Sequence, residues 1–299
     1  MIDAKRVMLK AKECKTVIPA YNIPYLPMAE PVIRAVVDKN SLAMIQVARV
    51  EWEKFSAGTL EAVAEEYMKY KNDDHTLLHL DHVPVVDEDY KEVDYMSIIE
   101  RAIKAGYQSI MIDASRLGLN ENIRYTKEAV LLAHEAGLPC EAELGAVMGH
   151  ESQELPPYEE IFRSKKGFTD IEEAKRFVKE SGADWLSVAV GTIHGAVAEA
   201  TRHQKKPEAR LDIEHIEILR DTLDIPLVLH GGSGINQSYI SRGIAAGITK
   251  INIGTEIRQT YERAMRDYND TIKAQEAVYN KTSALITDFL NIEDSKNLL

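Results

Sequence analysis

The sequence has little cysteine, no long uncharged apolar run and no excess of basic residues, and each absence excludes a class of protein. Two cysteines, Cys14 and Cys140, among 299 residues are too few for a disulfide framework and lack the spacing of a metal-binding pair, so we expect a reducing cytoplasm. Residues 1–15 are charged and lack the apolar core of a signal peptide. No apolar run is long enough to span a bilayer, so we expect a soluble protein without a membrane partner.

The charge balance also limits the partners. Lys and Arg total 36 against 48 Asp and Glu, and the net charge of −12 argues against a nucleic-acid partner, which requires a basic face. Phosphate can still bind locally, because backbone N–H groups in glycine-rich turns hold an anion without Lys or Arg. The composition, 45% hydrophobic and 28% charged, is that of a globular protein, and we predict one domain over residues 1–299.

Apolar runs of strand length alternate with longer segments of helical periodicity along the chain. Eight such strands, apolar on both faces, are typical of a parallel sheet covered by helices, and eight strands close a (β/α)₈ TIM barrel. We therefore predict an α/β fold of this type, with a doubly wound open sheet as the alternative. The predicted strands lie at residues 17–22, 43–47, 76–82, 109–113, 139–144, 185–190, 226–230 and 250–253.

Glycines and asparagines mark the ends of several predicted helices. Gly106, Gly137 and Gly182 each follow a helical segment, as C-terminal capping glycines do, and Asn120 and Asn122 are candidate N-caps. The predicted helices between the strands lie at residues 28–38, 59–71, 95–105, 123–136, 171–181, 213–223 and 237–246.

Two further segments exceed what a barrel requires. Residues 149–169 form the longest irregular stretch, which in a compact barrel indicates a functional lid or partial disorder. Helical periodicity continues over about residues 256–299, which predicts extra C-terminal helices with a break near Asn269–Asp270. We expect these helices to serve packing or oligomer formation.

Three histidines close predicted strands. His82, His194 and His230 end the third, sixth and seventh strands, and the active sites of TIM barrels lie at this end of the strands. A single histidine in such a place is more often a hydrogen-bonded structural residue than a ligand, but three such placements together favour a shared site. Three imidazoles with an open coordination position suit a catalytic Zn²⁺, with Asp81 beside it as a proton carrier. Glu143 is either a further ligand or a salt-bridged strand residue.

A glycine-rich turn follows His230 directly. The segment Gly231-Gly232-Ser233-Gly234 precedes the seventh predicted helix and exposes backbone N–H groups, which favour an anion such as phosphate. Asn252 and Thr255 follow one strand later. Phosphate sites built from the loops after the seventh and eighth strands recur in TIM barrels, so we predict one here.

Taken together, these segments resemble the class II (zinc-dependent) ketose-bisphosphate aldolase family, which covers fructose- and tagatose-bisphosphate aldolases. The resemblance runs from about Val17 to Arg258. The motifs that carry it are His79-Leu80-Asp81-His82, Glu141-Ala142-Glu143-Leu144-Gly145, His194-Gly195, His230-Gly231-Gly232-Ser233-Gly234 and Lys250-Ile251-Asn252-Ile253-Gly254-Thr255, with Ala20-Tyr21-Asn22 and Ile112-Asp113-Ala114-Ser115 as shorter matches.

The resemblance implies a lyase of carbohydrate metabolism that cleaves a ketose 1-phosphate or 1,6-bisphosphate. The products would be dihydroxyacetone phosphate and an aldehyde, formed through a Zn²⁺-stabilised enediolate. Asp81 would take the proton from the C4 hydroxyl, and Glu151, in the predicted lid, would assist proton exchange at the enediolate. An aldol cleavage requires a base and an electron sink, and Asp81 beside a metal supplies both.

The family also implies ligands for the cofactor and the substrate. Zn²⁺ would be held by His82, His194 and His230, with Glu143 at a second or displaced metal position. A monovalent cation such as Na⁺ or K⁺ would lie near the phosphate, and the chain would form a homodimer or homotetramer. The implied substrate-binding residues are Asn22, Gly195, Gly231, Ser233, Asn252 and Thr255.

The chain departs from the family where the aldehyde half would bind. Residues 47–52, after the second strand, lack the family's serine, and Ala114 and Arg116 replace the usual Gly and His. A C-terminal Asp-Pro-Arg-Lys-like motif is missing. Arg49 and Arg116 offer a different anion clamp, because a guanidinium binds carboxylate, phosphate or sulfonate in a bidentate manner. The alternative is that both arginines form surface ion pairs.

Two other functions are weighed against this one. A non-catalytic partner subunit of a sugar-catabolic complex would have no need for intact Asp81, His82, His194 and His230. A Schiff-base aldolase would use Lys250, but that residue is expected to start its strand, at the rim opposite the site, where a salt bridge is the simpler role.

Overall fold

The structure is a computed structural model that describes residues 2–145, 158–192, 210–232 and 234–298. Its strands are β1 Ile18–Asn22, β2 Ala43–Ala48, β3 Thr76–Pro84, β4 Ser109–Asp113, β5 Cys140–Leu144, β6 Trp185–Val188, β7 Leu227–Leu229 and β8 Ile248–Ile253. Each strand pairs in parallel with its neighbours in chain order, and β8 pairs with β1. The prediction of a (β/α)₈ TIM barrel is confirmed, and the open sheet is excluded by this last pairing.

Helices cover the outside of the barrel. They are α1 Ala4–Cys14, α2 Ala29–Asp38, α3 Arg49–Lys54, α4 Leu60–Tyr70, α5 Tyr95–Ala105, α6 Leu119–Glu135, α7 Tyr158–Ser164, α8 Ile171–Ser181, α9 Ile213–Thr222, α10 Gln237–Ala246, α11 Thr255–Tyr268 and α12 Thr271–Ala284. Gly106 and Gly182 end α5 and α8 in the left-handed conformation, with φ of 89° and 77°, as predicted. Within the described ranges, no helix is both long and apolar enough to cross a membrane.

The predicted N-caps at Asn120 and Asn122 are wrong. Helix α6 begins at Leu119, after Gly118, so both asparagines lie inside the helix. The buried Asn122 side chain instead donates to the backbone carbonyl of Glu143 (3.0 Å). It therefore ties α6 to the end of β5, next to a predicted metal ligand.

The expected position of Lys250 is also wrong. Strand β8 begins at Ile248, so Lys250 lies inside the strand and has no solvent exposure. The expected salt bridge exists, but it lies inside the barrel, where the Lys250 ammonium is 2.9 Å from a carboxylate oxygen of Glu141. The β-branched Ile248 and Thr249 extend the strand because they suit a buried, paired position.

Helix α1, which the periodicity had not indicated, closes the N-terminal end of the barrel. Its apolar face packs against side chains from the barrel interior, so an apolar core fills this end; the residues are Ala4, Val7, Met8 and Ala11 against Ile18, Met44, Leu77, Trp185 and Val228. Buried polar side chains replace apolar ones toward the C-terminal end of the strands. The barrel interior thus becomes polar at the end where the site is predicted.

The extra C-terminal helices are present and break as predicted. Asn269 ends α11 in the left-handed conformation, and the Asp270 side chain caps α12 by accepting from Ile272 N–H (2.9 Å). Helix α12 packs against α2, where the Tyr279 hydroxyl donates to Asp38 (2.8 Å). In this structure the helices serve packing against the barrel's outer layer.

Candidate active site

The end of strand β3 brings two neighbouring residues, Asp81 and His82, into one cluster. Successive side chains of a strand normally point to opposite faces. Here the pairing of β3 with β4 shifts register between Leu80 and Val83, and His82 has a φ of 28°, which is unusual for a residue with a Cβ. Such a bulge redirects a side chain. As a result, ligand atoms of Asp81, His82 and His230 all lie within 4.8 Å of one another.

Asp81 is buried and accepts hydrogen bonds from three carboxamides. Nδ2 of Asn22 and Nε2 of Gln46 lie 2.9 and 3.2 Å from Oδ2, and Nδ2 of Asn252 lies 2.9 Å from Oδ1. Burial alone would raise the pKa of Asp81, but the nearby charge of His82 and other cations outweighs it and lowers that pKa. Asp81 is therefore held as a carboxylate that can accept a proton.

The carboxamides around Asp81 are themselves fixed in orientation. Gln46 donates to Oδ1 of Asn22 (2.9 Å), and Lys250 donates to Oδ1 of Asn252 (2.8 Å). Both asparagine oxygens are thus occupied, and the NH₂ groups face Asp81. Asn22 and Asn252 were predicted as substrate-binding residues, whereas Gln46 was missed; the signal was one polar residue within the apolar run of β2.

Two imidazoles lie against each other and against carboxylates. The rings of His82 and His230 have centroids 4.4 Å apart. Nδ1 of His82 is 3.1 Å from Asp113, while His230 places Nε2 2.8 Å from Glu141 and Nδ1 3.1 Å from Glu143. A carboxylate behind a ligating imidazole is the usual means of fixing its ring orientation in metal sites.

The electrostatics of this cluster favour a positive charge. Burial opposes protonation of His82, but Asp81, Asp113 and Glu143 together raise its pKa to about 10. Burial and the charge of His82 likewise oppose protonation of His230, yet its hydrogen bonds to Glu141 and Glu143 raise the pKa. The acidic groups thus outweigh burial, and the same surroundings would stabilise a cation.

The donor set fits a divalent metal. Two overlapping groups have ligand atoms within 4.8 Å of one another, and they share His82: one with Asp81 and His230, the other with Asp113 and Glu143. Imidazole and carboxylate ligands are those that Zn²⁺ takes in catalytic sites. Three of the predicted metal ligands, His82, His230 and Glu143, therefore lie in one cluster. Four predicted site residues, Glu151, His194, Gly195 and Ser233, lie outside the described residues.

The glycine turn after β7 packs against the end of β8. A Cβ on Gly232 would lie 2.5 Å from a methyl carbon of Ile251, so this close approach requires glycine. Helix α10 begins at Gln237, as predicted, so the turn precedes the helix N-terminus and does not form it. Thr255 instead opens α11 after β8, and Gly231 adopts a φ of 68°. Backbone N–H groups of such turns remain suited to phosphate.

The predicted anion clamp has other contacts in this structure. Arg49 lies 3.3 Å from Asp87 and 3.9 Å from Glu53, and the exposed Arg116 stacks over the ring of Tyr90 at 5.7 Å. These contacts agree with the surface ion-pair alternative for Arg49. The role of both arginines toward a substrate stays a prediction.

Glu51 on α3 is a buried carboxyl that the sequence reasoning missed. One of its oxygens accepts from the Ala48 N–H (2.8 Å) and from Nδ2 of Asn22 (3.3 Å), the amide that also donates to Asp81. Burial raises the pKa of Glu51 to about 8, and the hydrogen bonds from Ala48 and Asn22 reverse only part of that shift. A glutamate at the third position of a helix is the available signal, because it often caps the helix start.

Comparison with known proteins adds an independent finding. The sequence model of the family described as fructose-bisphosphate aldolase class-II matches residues 2–297. Among solved structures, the chain is similar to the YdjI aldolase from Escherichia coli K12, with 29% identity, 98% of each chain covered and a TM-score of 0.76.

Two more distant structures share the fold. A putative fructose-1,6-biphosphate aldolase from Coccidioides immitis is 24% identical over 99% of each chain, with a TM-score of 0.78. The fructose-bisphosphate aldolase (Fba) from Campylobacter jejuni is 18% identical over 97% of this chain and 94% of its own, with a TM-score of 0.72.

Proposed function

Because the chain belongs to the class II fructose-bisphosphate aldolase family, as its motifs indicated, we propose that it cleaves a ketose 1-phosphate or 1,6-bisphosphate to dihydroxyacetone phosphate and an aldehyde. The family and the aldolase neighbours confirm the prediction of an enzyme, a carbon–carbon lyase of class II. One observation carries the specific reaction. A carboxylate oxygen of the buried Asp81 lies within 4.8 Å of ring nitrogens of His82 and His230.

The cofactor in this proposal is Zn²⁺. His82 and His230 would hold it together with His194, and Glu143 would serve a second or displaced position. The carboxylates of Asp113 and Glu143 beside the two imidazoles support this assignment because they favour a cation there. When bound, the ion supplies a Lewis acid that draws electron density from the ketone carbonyl.

Asp81 performs the proton step. Its carboxylate takes the proton from the C4 hydroxyl, the C3–C4 bond breaks, and C4 leaves as the aldehyde carbon. The electron pair of that bond stays with the phosphorylated three-carbon half, which gains a proton at C3 to give dihydroxyacetone phosphate. Glu151 is proposed to exchange that proton. The three carboxamide donors to Asp81 hold its carboxylate in one orientation before the step.

The remaining residues hold the substrate. Asn252 and Asn22 present NH₂ groups beside Asp81, close to where oxygens of the reacting carbons would lie. The phosphate is proposed to bind the glycine turn and the start of α11, through Gly231, Thr255 and the sequence-predicted Gly195 and Ser233. A monovalent cation, Na⁺ or K⁺, would neutralise part of its charge.

The Schiff-base alternative is disfavoured by the surroundings of Lys250. A Schiff base requires a neutral amine, and the salt bridge with Glu141 stabilises the ammonium instead. Borohydride with substrate would trap the chain only if Lys250 were the nucleophile.

A coupled assay for dihydroxyacetone phosphate tests the proposal. Ketose 1-phosphates and 1,6-bisphosphates with different distal groups would be supplied to the metal-loaded enzyme, before and after chelation. We expect cleavage of at least one substrate, loss of cleavage with chelator and recovery with Zn²⁺. Cleavage that persists at full rate after the metal is removed would contradict the proposal. Sedimentation would test the proposed homodimer or homotetramer.

A further inference from the structure

A buried ion pair lies directly below the predicted metal ligands, inside the barrel. Lys250 and Glu141 have no solvent exposure. One Glu141 oxygen accepts from the Lys250 ammonium (2.9 Å) and from the Trp185 indole (2.6 Å), and the other lies 2.8 Å from Nε2 of His230. A buried charge pair contributes little net stability compared with apolar residues of the same size. Its presence in this layer therefore points to a role other than stability.

Lys250 controls which way the Asn252 carboxamide faces. An ammonium can only donate hydrogen bonds. Because Lys250 contacts Oδ1 of Asn252 (2.8 Å), the Asn252 NH₂ must face Asp81, where it lies 2.9 Å from Oδ1. A flipped carboxamide would place its NH₂ against the ammonium and its oxygen against the carboxylate. Both contacts would be repulsive, so one orientation is strongly preferred.

The positions of Lys250 and Glu141 in their strands explain how one ion pair contacts both His230 and Asn252. Residues two apart in a strand share a face, so Lys250 lies below Asn252, and Glu141 lies below Glu143. Glu141 thus contacts the metal ligand His230, and Lys250 contacts the carboxamide that orients the base. The ion pair connects the metal ligand to the proton carrier.

We propose that Lys250, held by Glu141, is a positioning residue that sets the Asn252 carboxamide with its NH₂ toward Asp81 and the reacting carbons. This inference rests on the proposed function, since it assigns the proton step to Asp81. Lys250 touches neither substrate nor metal in this role. Its whole effect on cleavage passes through Asn252.

The test is a double-mutant cycle. Removing Lys250 alone would leave a buried carboxylate uncompensated and endanger folding, so the ion pair is replaced as a unit, Lys250→Met with Glu141→Gln. We expect kcat for cleavage to fall about 10-fold or more with little change in KM. In an Asn252→Ala background, assayed at saturating Zn²⁺, the same replacement should lower kcat clearly less, because the group that Lys250 positions is gone and only the lost contact between Glu141 and His230 remains.

A second ion pair supplies the matched control. Lys5 lies 2.7 Å from the buried Asp184 at the other end of the barrel. Lys5→Met with Asp184→Asn removes a charge pair of the same type, with an exposed lysine and a buried carboxylate, far from the site and should leave kcat unchanged. Equal losses from the Lys250–Glu141 replacement with and without Asn252 would overturn the proposal, because they would indicate a purely structural role. Equal losses in the control pair would overturn it too.

A readout that needs no turnover separates this inference from the proposed function. With ¹⁵N-labelled asparagine, the side-chain NH₂ resonances of Asn252, assigned by their loss in Asn252→Ala, should shift in the Lys250→Met, Glu141→Gln protein and stay in place in the control. Unmoved resonances would overturn the positioning role even in an active enzyme. A chain that shows the shift yet cleaves no phosphorylated ketose would contradict only the proposed function.

Discussion

The barrel interior and the rim after strands β2 and β4 carry similar charged side chains but fix them differently. Inside, Lys250 and Glu141 have no solvent exposure, and each contacts at least two polar partners. At the rim, the partly exposed Arg49 has carboxylate partners at 3.3 and 3.9 Å, and the exposed Arg116 has a tyrosine ring at 5.7 Å.

This difference follows from the cost of removing charge from water. A buried charge must be paired and hydrogen-bonded, so each interior group limits the positions of its neighbours. An exposed pair is screened by solvent and typically contributes less than about 1 kcal/mol. The interior therefore determines the geometry of the proton step, whereas the rim can change its partners when a substrate binds. Four predictions test this contrast, from the largest expected effect to the smallest.

Replacing the interior carboxylate Asp81 should have the largest effect. Asp81→Ala removes the proposed base, and we expect kcat to fall by about 10²- to 10⁴-fold while zinc content is retained. Steady-state cleavage assays and metal analysis measure both quantities. Asp184→Ala removes a buried carboxylate at the opposite end of the barrel and serves as the control. An unchanged turnover number in Asp81→Ala would exclude Asp81 as the base.

Replacing an imidazole of the cluster should release the metal. His230→Ala removes a proposed ligand that contacts two carboxylates, and we expect zinc affinity to weaken by more than about 100-fold. Metal content after dialysis against a graded chelator measures this, with Asp81→Ala as the variant that should keep its zinc. Full stoichiometry in dialysed His230→Ala would refute the ligand assignment.

Glu51 should make stability depend on pH. In the folded chain its pKa is raised to about 8 from an ordinary value of 4.5. Between these values the folded state holds a proton that the unfolded state has lost, so its stabilising effect is complete below pH 4.5 and disappears as pH rises through 8. Glu51→Gln should therefore flatten the decrease in melting temperature across this window. Parallel curves for the two proteins would contradict the raised pKa.

Replacing the rim arginines should have the smallest effect. Arg116→Ala is expected to change stability by less than about 1 kcal/mol, because this group is exposed. Arg49→Ala should change stability more, because it removes an ion-pair partner of the buried Asp87. Cleavage assays with substrates whose distal groups are neutral or anionic then distinguish an anion clamp from surface ion pairs. A KM increase confined to substrates with an anionic distal group would establish the anion clamp. Small KM changes that are equal for neutral and anionic distal groups would show that both arginines are surface residues.

Several features of the fold and site followed from local sequence. The alternation of apolar runs with helical segments gave all eight strands, and Gly106 and Gly182 marked two helix ends. The motifs around Asp81 and His230 indicated the family that the match over residues 2–297 confirms. Local sequence did not predict contacts that depend on a distant partner. Asn122, for example, donates to the backbone of β5 and does not cap α6.

By itself, the sequence determined the order of strands and helices, because burial on both faces and helix-ending glycines are encoded within a few residues. Only the tertiary structure decided which polar groups meet. The Lys250–Glu141 pair joins residues 109 apart, and the bulge that turns His82 beside Asp81 depends on the pairing of β3 with β4. The contacts of Gln46 and Glu51 with Asn22 likewise depend on the tertiary structure. Barrel closure sets the register of all eight strands together, and the contacts inside the barrel depend on that register.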